Sequence, residues 1–144
     1  MPIHWAEVAE GAGLVLRGEG QVTGAELIAT NQKILALTDT PRDWVFGMLD
    51  LTTVDSFECS TAELRRISGQ DRALAARMRS GALVCIAASD KFVFGLARMW
   101  QVFSHDTGWR TRVVRTREEA ESWIQKEAAV SFGVTLPSQP FQAD

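Results

Sequence analysis

The sequence predicts an α/β domain: one central sheet, mixed or parallel, of about five strands, covered by about four helices. Two observations carry that prediction. Apolar runs of strand length alternate with segments whose apolar residues recur at three- and four-residue steps, the helical spacing. Several of those segments open on a hydroxyl residue followed three positions later by Glu, at Thr23 and Glu26, Ser60 and Glu63, and Thr116 and Glu119. That is the capping box of a helix start.

From the N-terminus, residues 4–9 read as an edge strand, Glu10-Gly11-Ala12-Gly13 as a turn and residues 14–19 as a second strand, together an antiparallel hairpin. The first helix is predicted over 24–38, with Leu27, Ile28, Ile34, Leu35 and Leu37 along it, ending at Asp39-Thr40-Pro41. Residues 44–51 form a strongly apolar run, which predicts a central strand, and 52–59 reads as the loop beyond it. The second helix opens at Ser60, turns Leu64, Ile67, Leu74 and Met78 inward, contains Gly69 as a kink point and stops at Gly81.

The clearest unit follows. Residues 83–88 are an unbroken apolar run of strand length, Asp90 is the N-cap, and Phe92, Val93, Leu96, Ala97, Trp100 and Phe103 recur at helical spacing until Thr107-Gly108. A strand with charges at 110–115 belongs nearer an edge, and the last helix shows Ala120, Trp123, Ile124 and Ala128 on one face. The order is ββαβαβαβα. It makes a single domain over 1–129 and an extended tail over 130–144, where Pro137 and Pro140 interrupt scattered apolar residues.

Composition narrows the function classes. A chain of 144 residues with 46% hydrophobic and 23% charged residues is an ordinary globular domain. Its net charge of −3 argues against a nucleic-acid partner, which needs a basic footprint. Two cysteines and two histidines are too few for a disulfide framework or a zinc pattern, so no metal and no cofactor is expected. The first residues lack a basic, then apolar, leader pattern, and no run approaches the ~20 apolar residues of a membrane span. The expectation is a cytoplasmic protein.

Two stretches carry a family likeness. One is Met48-Leu49-Asp50-Leu51-Thr52-Thr53-Val54 with Ser60-Thr61-Ala62-Glu63-Leu64 after it. The other runs from Ile86 through Ser89-Asp90-Lys91-Phe92-Val93-Phe94-Gly95-Leu96-Ala97-Arg98-Met99-Trp100, with Val113-Val114-Arg115-Thr116-Arg117-Glu118-Glu119-Ala120-Glu121-Ser122-Trp123-Ile124 closing the domain. With the element order, these segments resemble the SpoIIAA-like branch of the STAS, or anti-anti-sigma-factor, domains over roughly residues 10–126. The resemblance implies a SpoIIAA-like sheet domain that acts by binding protein partners. In some members a serine at the start of the helix after the Asp-Leu strand is phosphorylated. Some relatives bind nucleotides or apolar ligands. Ser60 matches that serine by position, although phosphorylated members read Asp-Ser-Ser-Gly where this chain reads Glu58-Cys59-Ser60-Thr61.

Ser60 is therefore the candidate phosphoacceptor, with helix capping as its plainer role. Cys59, just before the same helix, is a candidate thiol whose pKa the helix dipole would lower, with His105 as a base in principle. Asp50, Asp55 and Glu58 lie at or beyond a strand end, where α/β sheets collect ligands, or else serve solvation and capping. Asp90, Lys91 and Arg98 flank the next strand end, and Arg98 would reach an anion near Ser60 if the two loops adjoin. Phe92 and Phe94 sit on either side of Val93, so one of them is expected to be exposed or to line a pocket or interface.

Three functions compete. The first is a non-enzymatic regulatory or protein-binding STAS-like domain, a homodimer, using the loop around Asp55, Glu58, Cys59, Ser60 and Thr61, the loop around Asp90, Lys91 and Phe92, and the apolar tail. The second is a carrier of a small apolar or anionic ligand in a pocket near Phe92, Phe94, Arg98 and Trp100. The third is a small enzyme built on Cys59 or the 50–58 carboxylates. A deep apolar pocket would favour the second.

Overall fold

The computed structural model describes residues 3–142. Its elements are β1 (Ile3–Val8), β2 (Gly13–Thr23), α1 (Gly24–Leu37), β3 (Phe46–Glu58), α2 (Thr61–Ala75), β4 (Leu83–Ala87), α3 (Lys91–Phe103), β5 (Arg110–Val114) and α4 (Arg117–Phe132), with short 3₁₀ turns at Ala9–Gly11 and His105–Thr107. The five strands make one mixed sheet in the order β1-β2-β3-β4-β5, so β3 is central and β5 an edge. β1 pairs antiparallel with β2, and the other neighbours are parallel. Short loops joining parallel neighbours through one helix each put α1, α2 and α3 over one face, and α4 folds back over the other.

The alternation along the strands sorts side chains between two cores. On β3, Phe46 and Met48 face the α4 side and Leu49 and Leu51 the other; on β4, Leu83, Cys85 and Ala87 alternate with Val84 and Ile86. The α4 core is tightly filled. The Phe46 ring lies over Gly13, where a Cβ would stand 2.2 Å from it, so only glycine fits that position on β2.

The helix starts behave as their sequence predicts. Thr23 and Ser60 form reciprocal capping boxes with Glu26 and Glu63. Asp90 accepts from the backbone N–H groups of Phe92 and Val93 at 2.9 and 3.0 Å, and Thr116 accepts from that of Glu119 at 3.1 Å.

Several boundaries differ. The segment 52–58 is strand, not loop: it pairs with the end of β2 up to Thr23, past two register shifts and Gly20 at φ 64°. In composition it resembles a loop, because Val54 alone of residues 52–58 is deeply buried. Helix α2 passes Gly69 without a break and stops at Ala75, and Gly81 (φ 74°) closes the turn before β4 instead. Helix α4 runs on to Phe132 and is closed by Gly133 in the left-handed region. The tail then packs on the domain: Phe141 is buried edge-on against Phe46, ring centroids 5.4 Å apart. No helix among the described residues is long and apolar enough to cross a membrane.

Candidate functional site

A cavity of about 90 Å³ lies between the sheet and helices α1, α2 and α3. Its floor is the apolar stripe of β2, β3 and β4, including Leu16, Leu49, Leu51 and Ile86. Its roof comes from the inward faces of the helices: Leu27, Asn31 and Ile34 of α1, Leu64, Ile67, Asp71 and Leu74 of α2, and Val93, Ala97 and Trp100 of α3. A wider and more open groove of about 400 Å³ lies between the starts of α1 and α2, where Ala25, Ala29 and Ala62 meet the longer Gln32, Glu63 and Arg66.

Few polar groups reach the cavity. Asp71 sits seven residues after Leu64, on the helical stripe that also carries Ile67 and Leu74, so the periodicity that buries them buries it too. The Trp100 indole N–H donates to Asp71 Oδ2 at 2.7 Å. Oδ1 carries no hydrogen bond among the described residues but keeps accessible surface. Burial pushes the Asp71 carboxyl up to about 7, against the Trp100 hydrogen bond and the Arg72 charge, which pull it down. Arg72 itself points outward and donates to Asp106 at 3.1 Å. The second polar group is the Trp109 indole, whose Nε1–H is buried without a partner. Such a donor forfeits about 1–3 kcal/mol relative to one that is satisfied. The third, Asn31, is engaged with Gln70 at 3.2 Å. No Lys or Arg lines the cavity.

A different junction holds the opposite face. Asp50, buried on β3, takes the backbone and hydroxyl donors of Thr52 at 2.9 and 2.7 Å and an Arg117 N–H at 3.0 Å. Burial raises its carboxyl, but the Thr52 hydrogen bonds and the Arg117 guanidinium outweigh burial and hold it below the usual carboxylate range. Arg117 also donates to Glu121 at 3.0 Å and to the Phe141 carbonyl at 3.1 Å, tying the tail to the start of α4.

The residues singled out by sequence fall in scattered places. Ser60 and Thr61 are exposed at the start of α2, and Ser60 Oγ is occupied by the Glu63 N–H at 3.1 Å. Asp55 and Glu58 are exposed on the β3 extension, apart from Asp50, which is turned to α4; the proposed carboxylate group does not assemble. Among the described residues no group of three His, Cys, Asp or Glu side chains is placed to hold a metal ion. Cys59 lines the cavity, but burial and then the Glu63 charge push its thiol up to about 11, so the helix dipole does not make it a thiolate. His105 hydrogen-bonds the Val102 carbonyl at 3.0 Å, and no contact joins it to Cys59.

On α3, Asp90 is a cap, Lys91 and Arg98 are exposed, and Phe92 is 84% exposed. Phe94 lies under the Arg115 guanidinium, 4.1 Å from its ring centre. The pocket expected near Phe92, Phe94 and Arg98 is therefore on the other side of α3, and only Trp100 of that set lines it. The loops at Ser60 and Asp90 are not joined by any hydrogen bond or ion pair among the described residues. β3 continues to Glu58, whereas β4 stops at Ala87, the partner of Asp50. Sequence reasoning missed Asp71 and Trp109. The signal for Asp71 was available: a carboxylate set within an apolar helical stripe.

No family model matches the chain, and no curated protein matches it closely enough to count as a relative. Among solved structures the chain is similar to the crystal structure of an uncharacterised protein of the DUF3478 family, with a SpoIIAA-like fold, from Shewanella loihica PV-4. The match covers 77% of this chain and 82% of that one at 19% identity and a TM-score of 0.42, so the architecture rests on the strand order and registers above.

Proposed function

We propose that this protein is a non-enzymatic binding domain that takes up a small, largely apolar molecule between its sheet and helices α1–α3. The observation that carries this reading is the cavity of about 90 Å³, walled almost wholly by apolar side chains of the sheet and of α1, α2 and α3. Cavities of roughly 150 Å³ with aliphatic walls take up benzene, so the space here suits a compact, largely apolar molecule. The anionic half of the carrier expectation has no support: the cavity offers a carboxylate and no cation. Titrating the protein calorimetrically with n-butanol tests the reading. Saturable heat in the wild type, abolished by filling the space with Ala97→Leu, is expected. Equal, non-saturating heats for both would reject it.

A second reading, a regulatory protein-binding domain, draws on the outward face of α3. There Phe92, Met99 and Val102 are exposed large apolar side chains on one helix, more than scattered surface residues require. A partner covering them, a second copy included, would release Phe92→Asp. Sedimentation of the two proteins at matched concentration decides: a wild type that self-associates while the variant stays monomeric supports a dimer on this face, and two monomers reject it.

A further inference from the structure

We propose that the segment after α4 is an exchangeable strap. Its Pro140–Phe141 anchor docks on its own domain in the single chain, and on the same seat of a second copy in a two-fold dimer. The anchor is small. Pro140 and Phe141 are buried, whereas Thr135, Ser138, Gln139 and Gln142 are exposed. Among the described residues, one hydrogen bond joins residues 135–142 to the rest of the domain, from Arg117 to the Phe141 carbonyl at 3.1 Å. Beside it stands the edge-on contact of the Phe141 ring with Phe46. A segment held at so few points opens without the domain unfolding.

The seat does not depend on the strap. Phe46 is fully buried on β3 and lies over Gly13 of β2. Arg117 is held by Asp50 and by Glu121, each at 3.0 Å, so it stays in place when the Phe141 carbonyl leaves. A preformed seat costs little to refill. The hinge, by contrast, is strained. Gln139 stands at φ 52°, in the left-handed region, directly before Pro140. A side chain is disfavoured there, and a following proline favours an extended backbone. The strap turns back on its own domain through that conformation, which an extended approach from a neighbour avoids. Pro137 keeps α4 from growing into the link, and residues 133–139 reach across at most roughly 25 Å. The segment that fits this seat is the chain's own, and a second copy brings it with its own seat to offer in return. Exchange of this kind closes on itself, so it stops at the dimer. It leaves the cavity between the sheet and α1–α3 untouched.

Sedimentation of the full chain from about 10 μM to about 1 mM tests this, since a strap held in cis competes at an effective concentration in the millimolar range. A dimer that grows in with concentration is expected for the wild type. Gln139→Gly removes the strain of the cis turn and should weaken dimerisation by roughly tenfold or more. Gln139→Val worsens the strain, because a β-branched residue tolerates positive φ least, and should strengthen dimerisation. Neither change touches the seat. Phe141→Ala removes the anchor and should leave a monomer, whereas Phe92→Asp should leave the dimer intact. In a mixture of isotope-labelled and unlabelled wild type, filtered contacts between the Phe141 and Phe46 rings of different chains are expected. If Phe141→Ala does not fold, the two Gln139 variants and the filtered contacts still decide. A wild type and Gln139→Val that both stay monomeric at the highest concentration overturn the inference. So does a dimer equally strong in both Gln139 variants, or one that survives Phe141→Ala and is lost in Phe92→Asp, which belongs to α3.

Discussion

The two faces of the sheet each bury one aspartate, and the two are treated oppositely. On the α4 face Asp50 is met by Arg117 and two donors from Thr52, and its carboxyl is held low. On the α1–α3 face Asp71 receives one indole N–H, forms no ion pair among the described residues, and is pushed up to about 7 by burial. The packing differs in parallel. The α4 face is closed so tightly that Phe46 leaves no room for a Cβ at Gly13, and the tail adds Phe141 on top. The other face keeps an apolar space. A paired buried charge in a filled core holds structure together. An unpaired one beside an empty space is what a binding site needs.

The comparison can be broken most forcefully at Arg117. Arg117→Met leaves Asp50 buried without its cation and frees the Phe141 carbonyl. Breaking a buried pair costs about 3–5 kcal/mol, and the partial exposure of Arg117 (29%) places the expected loss near the lower end, about 3 kcal/mol. Urea unfolding at neutral pH measures it, and a loss below about 1 kcal/mol would mean that the junction carries little.

Next comes the pH dependence of the same two groups. Burial raises the Asp71 pKa in the folded state from its ordinary 3.8 to about 7, so the folded protein holds a proton there that the unfolded chain releases. Its contribution to stability therefore falls as pH rises from about 4 to about 7 and is fully lost above that. Asp71→Asn removes this penalty and should be the more stable protein at about pH 8, with the advantage vanishing near pH 4. Asp50 has the opposite sign. Its pKa is lowered on folding, so its stabilisation is present above the unfolded value and is lost as pH falls through the folded one. Difference unfolding curves for Asp71→Asn and Asp50→Asn that bend the same way with pH would contradict the assignment.

The smallest expected effects concern space alone. Gly13→Ala must displace the Phe46 ring and should cost about 1–3 kcal/mol. Ala97→Leu adds more atoms but points them into the cavity, and should change stability by less than about 1 kcal/mol. Thermal denaturation of the two variants side by side checks this, and a larger loss for Ala97→Leu would mean that the space is not there.

Much of this architecture was legible because local signals agreed with one another. Apolar runs, helical stripes and capping residues at Thr23, Ser60, Asp90 and Thr116 all pointed to the same element order. The β3 extension was not legible, since a ribbon half open to solvent looks like loop in composition; only its pairing with β2 reveals it. The helix start at Ser60 was placed correctly and its neighbours wrongly, because a capping box fixes a boundary and says nothing about how far the preceding strand runs. The Arg117 contact to Asp50 spans most of the chain and has no local signature. Asp71 left a trace in the α2 stripe, but its place on the cavity wall is set only when the helices pack over the sheet.

The most direct test of the account is the indole N–H resonance of Trp109 in a ¹H–¹⁵N spectrum during addition of n-butanol, assigned by its loss in Trp109→Phe. The account predicts that this peak moves and saturates, together with amides of α1, α2 and α3, while those of α4 stay in place. A Trp109 peak that does not move, or shifts that grow linearly and equally on both faces of the sheet, would contradict it.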